Sequence, residues 1–193
     1  MRKPFGLRLL AGVLLTLLSA GEPTWAAEER HKDAALQDLS VQTQSNGGVR
    51  ATATLLFPGS PTVIQEILTD YPKWPELFET RMRMAKVEQR DERVLTELYI
   101  SHSLLPGERR LVCESQPLPG GGLVTELKGG DFKQYRRVWK LAPAGNGTQT
   151  RAEFDLLVEV DTVIPDWMIA VAMERELETH FRIVRQRALD RIR

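Results

Sequence analysis

The chain has 193 residues, with 26 basic and 26 acidic side chains that leave a formal net charge of zero. That balance argues against nucleic acid as a main partner, because nucleic acid favours a strongly basic surface. Cys113 is the single cysteine, which excludes an internal disulfide and leaves stability to the core.

In chain order, Arg2, Lys3 and Arg8 come first, followed by the apolar run "LLAGVLLTLLSAG" from Leu9 to Gly21. The run falls short of the roughly 20 apolar residues that span a bilayer, and it has the length of a signal-peptide core. "EPTWAA" follows, placing Thr24 and Ala26 at the small-residue positions before a cut at Ala27. No cysteine lies near, so a lipoprotein anchor is not expected. The sequence thus predicts a signal peptide over 1–26, secretion to the periplasm, and a mature chain of about 167 residues. Cleavage removes three basic and one acidic residue, leaving 23 and 25.

Glu28 to Ala35 is polar and reads as a lead-in, and 27–48 also holds the first strand of a hairpin. "DLSVQTQ" and "VRATATLLF" alternate around "SNGG", and Asn-Gly between alternating runs signals a hairpin. Ser60 and Pro61 mark a helix start, with Val63, Ile64, Ile67 and Leu68 as its buried stripe, and the helix has to stop before Pro72. "YPKWPELFE" is a broken, aromatic-rich corner.

A period of two then predicts strands over 82–89, 94–103, 109–115, 123–127, 133–141 and 150–160, joined by "RDER", "LLPGE", "PLPGGG" and "PAGNG". Pro165 opens a last helix, with Ile169, Met173, Leu177, Phe181, Val184 and Ala188 three or four residues apart. Helices set against an antiparallel sheet make an α+β architecture with the main domain over 49–193. A curved sheet around one long helix leaves an internal gap suited to an apolar ligand.

Several stretches, taken in order, resemble a known group. "FPGSPTVIQEILTDYPKWPELF", "TELYISHSL", "GGDFKQYRRVWKLAP", "GTQTRAEFDLLVEV" and "IPDWMIAVAMERELETHFRIVRQRAL" are similar to the START-like, helix-grip superfamily. Within it they resemble the polyketide cyclase/dehydrase and coenzyme Q-binding branch. The resemblance covers roughly 49–189. It implies a helix-grip fold whose cavity holds lipids, isoprenoid quinones or aromatic polyketides, mostly for carriage and in a minority for cyclisation or dehydration. No cofactor is implied.

In "GDFKQYRRVWKL", strand alternation turns Tyr135, Arg137, Trp139 and Leu141 to one face. If that face lines the cavity, Arg137 can hold a carboxylate, phosphate or carbonyl oxygen. The alternatives are a place at the mouth, or a protein carboxylate across the sheet. Leu98, Ile100, Trp139, Phe154 and Leu156 fit an apolar lining or plain core packing. Met168 and Met173 on the last helix are open to the same two readings.

His102 in "SHS" points away from both neighbouring serines on a strand, so no nucleophile pair forms. The histidines have no metal spacing, and no metal site is expected. Glu153, Asp155 and Glu159 belong to a solvated strand face. Five arginines between His180 and Arg193 complement the helix dipole or touch anionic headgroups transiently.

The expectation is a periplasmic monomer that binds or carries a small hydrophobic ligand, with its polar end near Arg137 or Tyr135 and its tail along Trp139, Phe154 and Met173. The alternatives are a cyclase/dehydratase-type enzyme using the same cavity, with Tyr135 as its acid, or a protein-interaction module without ligand.

Overall fold

Alternation in the sequence becomes one continuous sheet. The computed structural model describes residues 36–193, and the expected signal segment and the polar lead-in lie outside the described residues. Eight strands form: β1 (Leu36–Thr43), β2 (Val49–Pro58), β3 (Arg81–Arg90), β4 (Arg93–Ser101), β5 (Glu108–Pro117), β6 (Gly122–Gly130), β7 (Phe132–Ala144) and β8 (Gln149–Val160). They order as β1-β2-β8-β7-β6-β5-β4-β3, and each strand runs antiparallel to its neighbours. The sheet begins before residue 49, because β1 pairs with β2 from Leu36 to Thr43.

The neighbouring strands β2 and β8 show why the pattern forces this arrangement. On β2, Val49, Ala51, Ala53, Leu55 and Phe57 are buried; on β8, Ala152, Phe154, Leu156, Val158 and Val160 are. Between them lie outward residues that pair in solvent, such as Arg50 with Asp155 and Lys140 with Glu153. A one-residue slip in register would turn both apolar rows to water, so burial itself fixes the pairing.

Several strand ends differ from the sequence expectation, among them β6, which runs to Gly130 instead of Leu127, and two more whose cause is visible in the backbone. β4 stops at Ser101 instead of running to Ser103, because the Leu105 N–H turns back to the His102 carbonyl at 2.9 Å. β7 runs on to Ala144, pairing Pro143 with Thr150, until Asn146 at φ 57° makes the tight turn into β8.

Helix α1 (Pro61–Thr69) buries Ile64, Ile67 and Leu68, while Val63 is only half-buried. Ser60 occupies the N-cap position, but its hydroxyl makes no capping bond. The start is set by Pro61, whose fixed φ and missing N–H suit the first turn. A 3-10 segment, Tyr71–Leu77, buries Tyr71, Trp74 and Leu77, and the Trp74 indole N–H donates to the Leu68 carbonyl at 2.9 Å.

Helix α2 (Asp166–Arg191) has 26 residues and is about 39 Å long. Its buried residues, Leu177, Thr179, His180, Phe181, Val184 and Ala188, all lie from Leu177 onward. Ile169 and Met173 in the first half are only partly covered. The second half of the helix therefore packs closely, while its first turn is tied to the β1–β2 turn, where Asp166 accepts the Gly48 N–H at 2.9 Å, and leaves a gap over β4, β5, β7 and β8. The result is the expected α+β arrangement, with the gap under the first turns of α2.

Candidate functional site

The gap is a cavity of about 200 Å³. Its floor comes from β4, β5, β7 and β8, through Leu98, Ile100, Leu111, Cys113, Tyr135, Arg137, Leu156 and Val158. Trp74 and Phe78 of the aromatic corner close one side. Ile169, Ala172, Met173 and Glu176 of α2 form the roof, and His102, Leu104 and Leu105 of the β4–β5 loop stand at the rim. Alternation makes the floor apolar, since each strand turns every second side chain inward.

Of the residues expected at the site, the structure brings six together on the cavity wall: Leu98, Ile100, Tyr135, Arg137, Leu156 and Met173. Three do not line it. Trp139 and Phe154 are 1% and 3% exposed and pack with their rings tilted at 59°, 4.7 Å between centroids. Phe181 packs edge-on to Phe154 at 5.1 Å, closing the gap where the second half of α2 meets the sheet. Their place is the packed core beyond the cavity end. Met168 misses the wall because it precedes Ile169 by one residue, about 100° of helical rotation. The tail therefore has no path along Trp139 and Phe154, and the space runs instead toward the rim.

Arg137 is the decisive residue. It is 6% exposed, and its Nε is buried without a hydrogen-bond partner. Its guanidinium lies 4.4 Å over the Trp74 ring, with no ion pair to any carboxylate among the described residues. The sheet explains this. Same-face neighbours of Arg137 are Thr125 on β6, Leu156 on β8, and Tyr135 and Trp139 on its own strand, none of them acidic. Of the alternatives read from the sequence, neither a carboxylate across the sheet nor a place at the mouth describes it.

Around this cation the titratable groups are held neutral. Burial pushes the Cys113 thiol up to about 12, and it raises Tyr135 and Tyr71 above the usual phenol value against the opposing pull of Arg137. His180, behind the cavity end, is lowered to about 3 by burial. Its Nδ1–H donates to the Leu77 carbonyl at 2.9 Å, its ring stacks on Phe78 at 4.3 Å, and its Nε2 is buried without a partner. The deep end thus offers a fixed positive charge and the Tyr135 phenol as a donor.

The rim carries a second polar pair that the sequence reading passed over. His102 lies just past the end of β4, where its Nδ1 accepts the Leu104 N–H at 3.1 Å. Its Nε2 is 4.0 Å from Glu176 Oε1 on α2, and Glu176 Oε2 accepts the Thr80 N–H at 3.3 Å. The available signal was Glu176 itself, a charge three residues after Met173 on the apolar stripe. Trp74, Leu111 and Cys113 were also missed as wall residues, although alternation on β5 and the aromatic corner pointed inward.

The sequence matches the family described as polyketide cyclase / dehydrase and lipid transport over residues 58–182. The chain belongs to this family. The fold agrees with solved structures of the START superfamily. A START superfamily protein from Mycobacterium smegmatis has a TM-score of 0.57 at 18% identity, covering 73% of this chain and 97% of its own. The Zhui aromatase/cyclase from Streptomyces sp. R1128 has a TM-score of 0.58 at 12% identity, covering 75% and 95%. A STAR-related lipid transfer protein from Xanthomonas axonopodis has a TM-score of 0.58 at 12% identity, covering 80% and 97%. At such identities these structures show the helix-grip fold alone. No curated protein matches the sequence.

Proposed function

We propose that the protein binds and carries an elongated hydrophobic molecule with an anionic head, which enters head-first and is neutralised by Arg137. The observation that carries this is the unpaired, buried guanidinium at the deep end of an otherwise apolar cavity. An isolated buried cation is costly, and a carboxylate or phosphate entering the cavity relieves that cost through charge-assisted hydrogen bonds. The volume of about 200 Å³ exceeds the roughly 150 Å³ of an engineered cavity that admits benzene. It takes a head and a short chain, and a longer tail leaves by the rim. Each methylene kept from water contributes about 0.8 kcal/mol. The lipid-transfer and aromatase/cyclase relatives are consistent with a ligand of this character.

Carriage is favoured over catalysis because the deep end pairs a fixed cation only with a phenol and a thiol of raised pKa, while the His102–Glu176 pair stands apart at the rim. The compartment belongs to the same proposal: a signal peptide cut near Ala27 delivers a monomer to the periplasm, where an apolar cargo needs shielding from water. Membrane contact through the C-terminal arginines is less favoured, since Arg182, Arg187 and Arg191 pair with Glu79, Glu76 and Glu66.

Native mass spectrometry of protein purified from its own periplasm, followed by organic extraction, tests the reading. An acidic amphiphile is expected on the wild type and not on Arg137→Met. A protein that carries nothing, and whose tryptophan fluorescence ignores dodecanoate, would sink the carrier reading. A stoichiometric protein partner with no extractable lipid would favour the interaction-module alternative. A mature chain still beginning at Met1 in the membrane fraction would end the secretion proposal.

A further inference from the structure

Apart from the deep cation and its phenol neighbour, the wall holds one arrangement of polar groups built from three separate segments. His102 comes from the β4–β5 loop, Glu176 from α2, and the Thr80 N–H from the approach to β3. All converge at the rim, where the His102 and Glu176 side chains are 21% and 27% exposed. Both side chains are already oriented by the backbone. The Leu104 N–H occupies His102 Nδ1, so the proton of the neutral ring sits on Nε2, facing Glu176. The Thr80 N–H holds one oxygen of Glu176 and leaves Oε1 facing His102.

The Nε2–Oε1 separation of 4.0 Å is too long for a direct hydrogen bond. It is the span of one oxygen that accepts from Nε2–H and donates to Oε1. Two bonds of about 2.8 Å at an angle of about 90° reach that distance. A hydroxyl group is both donor and acceptor and fits. A carbonyl lacks the proton for Glu176, a carboxylate meets its charge, and a methylene leaves both groups unmatched.

We infer that the His102–Glu176 pair is a hydroxyl subsite, and that the ligand class is a hydroxylated acidic amphiphile. Its anionic head sits on Arg137 and its hydroxyl is carried along the chain at the rim. The inference rests on the ligand reading above and makes it more specific. The two anchors differ in kind: Arg137 reads charge, and the rim pair reads the position of one oxygen along the chain. Selectivity of this sort is strong because an analogue without the oxygen leaves two oriented polar groups unpaired as the tail covers them.

The test titrates the intact mature protein with dodecanoate and with monohydroxydodecanoates bearing the hydroxyl at successive carbons, following tryptophan fluorescence and calorimetry. One hydroxyl position is expected to bind at least threefold more tightly than dodecanoate. In His102→Leu and in Glu176→Leu that advantage should vanish, as dodecanoate no longer leaves that polar group unpaired and binds at least as tightly as to the wild type, which also shows that each variant is folded. If dodecanoate binds in an Arg137-dependent way and no hydroxyl position reaches a threefold gain, the subsite is wrong and the carrier reading stands. A gain that survives both variants likewise overturns the subsite. If neither dodecanoate nor any hydroxylated probe binds, the carrier reading falls and the subsite with it.

Discussion

Replacing Arg137 by methionine separates what the residue does for the fold from what it does for a ligand, because the two effects have opposite signs. In the empty protein the guanidinium is buried, has no carboxylate partner, and leaves its Nε unsatisfied. Desolvating an ion costs several kcal/mol, and the attraction to the Trp74 ring returns only about 0.5–2 kcal/mol. Methionine follows a similar path along the apolar wall without the charge. Ligand-free Arg137→Met is therefore expected to be more stable than wild type by about 1–3 kcal/mol. For a domain of this size that is a rise in Tm of roughly 2–12 °C. Binding should move the other way. Losing one charge-assisted hydrogen bond is worth about 1.5–3 kcal/mol, or roughly 10- to 150-fold in dodecanoate affinity. The assay is urea unfolding of delipidated protein beside a calorimetric titration, since retained ligand would stabilise the wild type by mass action. Arg137→Lys, which keeps the charge and loses the planar fork, should fall between the two in affinity. A variant that is destabilised yet binds dodecanoate as well as wild type would refute the reasoning, since Arg137 would then be structural.

The remaining expectations concern the core, the roof and acid. Trp139→Ala should lose about 3–5 kcal/mol in urea unfolding, as large-to-small changes in packed cores do. Its dodecanoate affinity, measured at low temperature where it stays folded, should change little, and a selective loss of binding would return Trp139 to the wall. Ala172→Phe should fill the cavity under α2 and weaken dodecanoate at least tenfold, and unchanged affinity would show that the ligand lies elsewhere. His180 gives the fold an acid sensitivity. The unfolded chain takes a proton on this ring below about pH 6.5, whereas the folded protein resists until about 3. Stability present above pH 6.5 is therefore lost as the pH falls, by about 1.4 kcal/mol per unit, or about 2 kcal/mol between pH 6.5 and 5. His180→Gln should flatten that slope, and an unaltered slope would mean that another group takes the proton.

The strands and the final helix were legible because each had a single apolar face to hide. β2 and β8 alternate without interruption, so period, register and inward face follow from one another. The errors at strand ends came from backbone bonds that side-chain pattern does not encode. The His102–Leu105 turn cut β4 short, and the ladder to Thr150 carried β7 through Pro143. On α2 the apolar stripe runs evenly from Ile169 to Ala188, yet its residues are fully buried only from Leu177 onward. Periodicity gives the face a helix turns inward, but not the distance at which each of its turns packs on the strands below.

That distance decides which inward residues are wall and which are core, and it is why Trp139 and Arg137, two residues apart on one face, have different fates. Trp139 lies under the seated half of α2, among Phe57, Phe154 and Phe181. Arg137 lies just beyond, on the cavity wall, with its guanidinium over the Trp74 ring. A general expectation about buried arginines argued for a protein partner, and the sequence held acids enough to supply one. The sheet withheld it by geometry, since alternation turns Glu153, Asp155 and Glu159 of the adjacent strand outward while Leu156 is turned inward beside Arg137. In the proposed function an anion from outside satisfies that charge without opening the core, entering along the cavity from the rim with its apolar chain trailing.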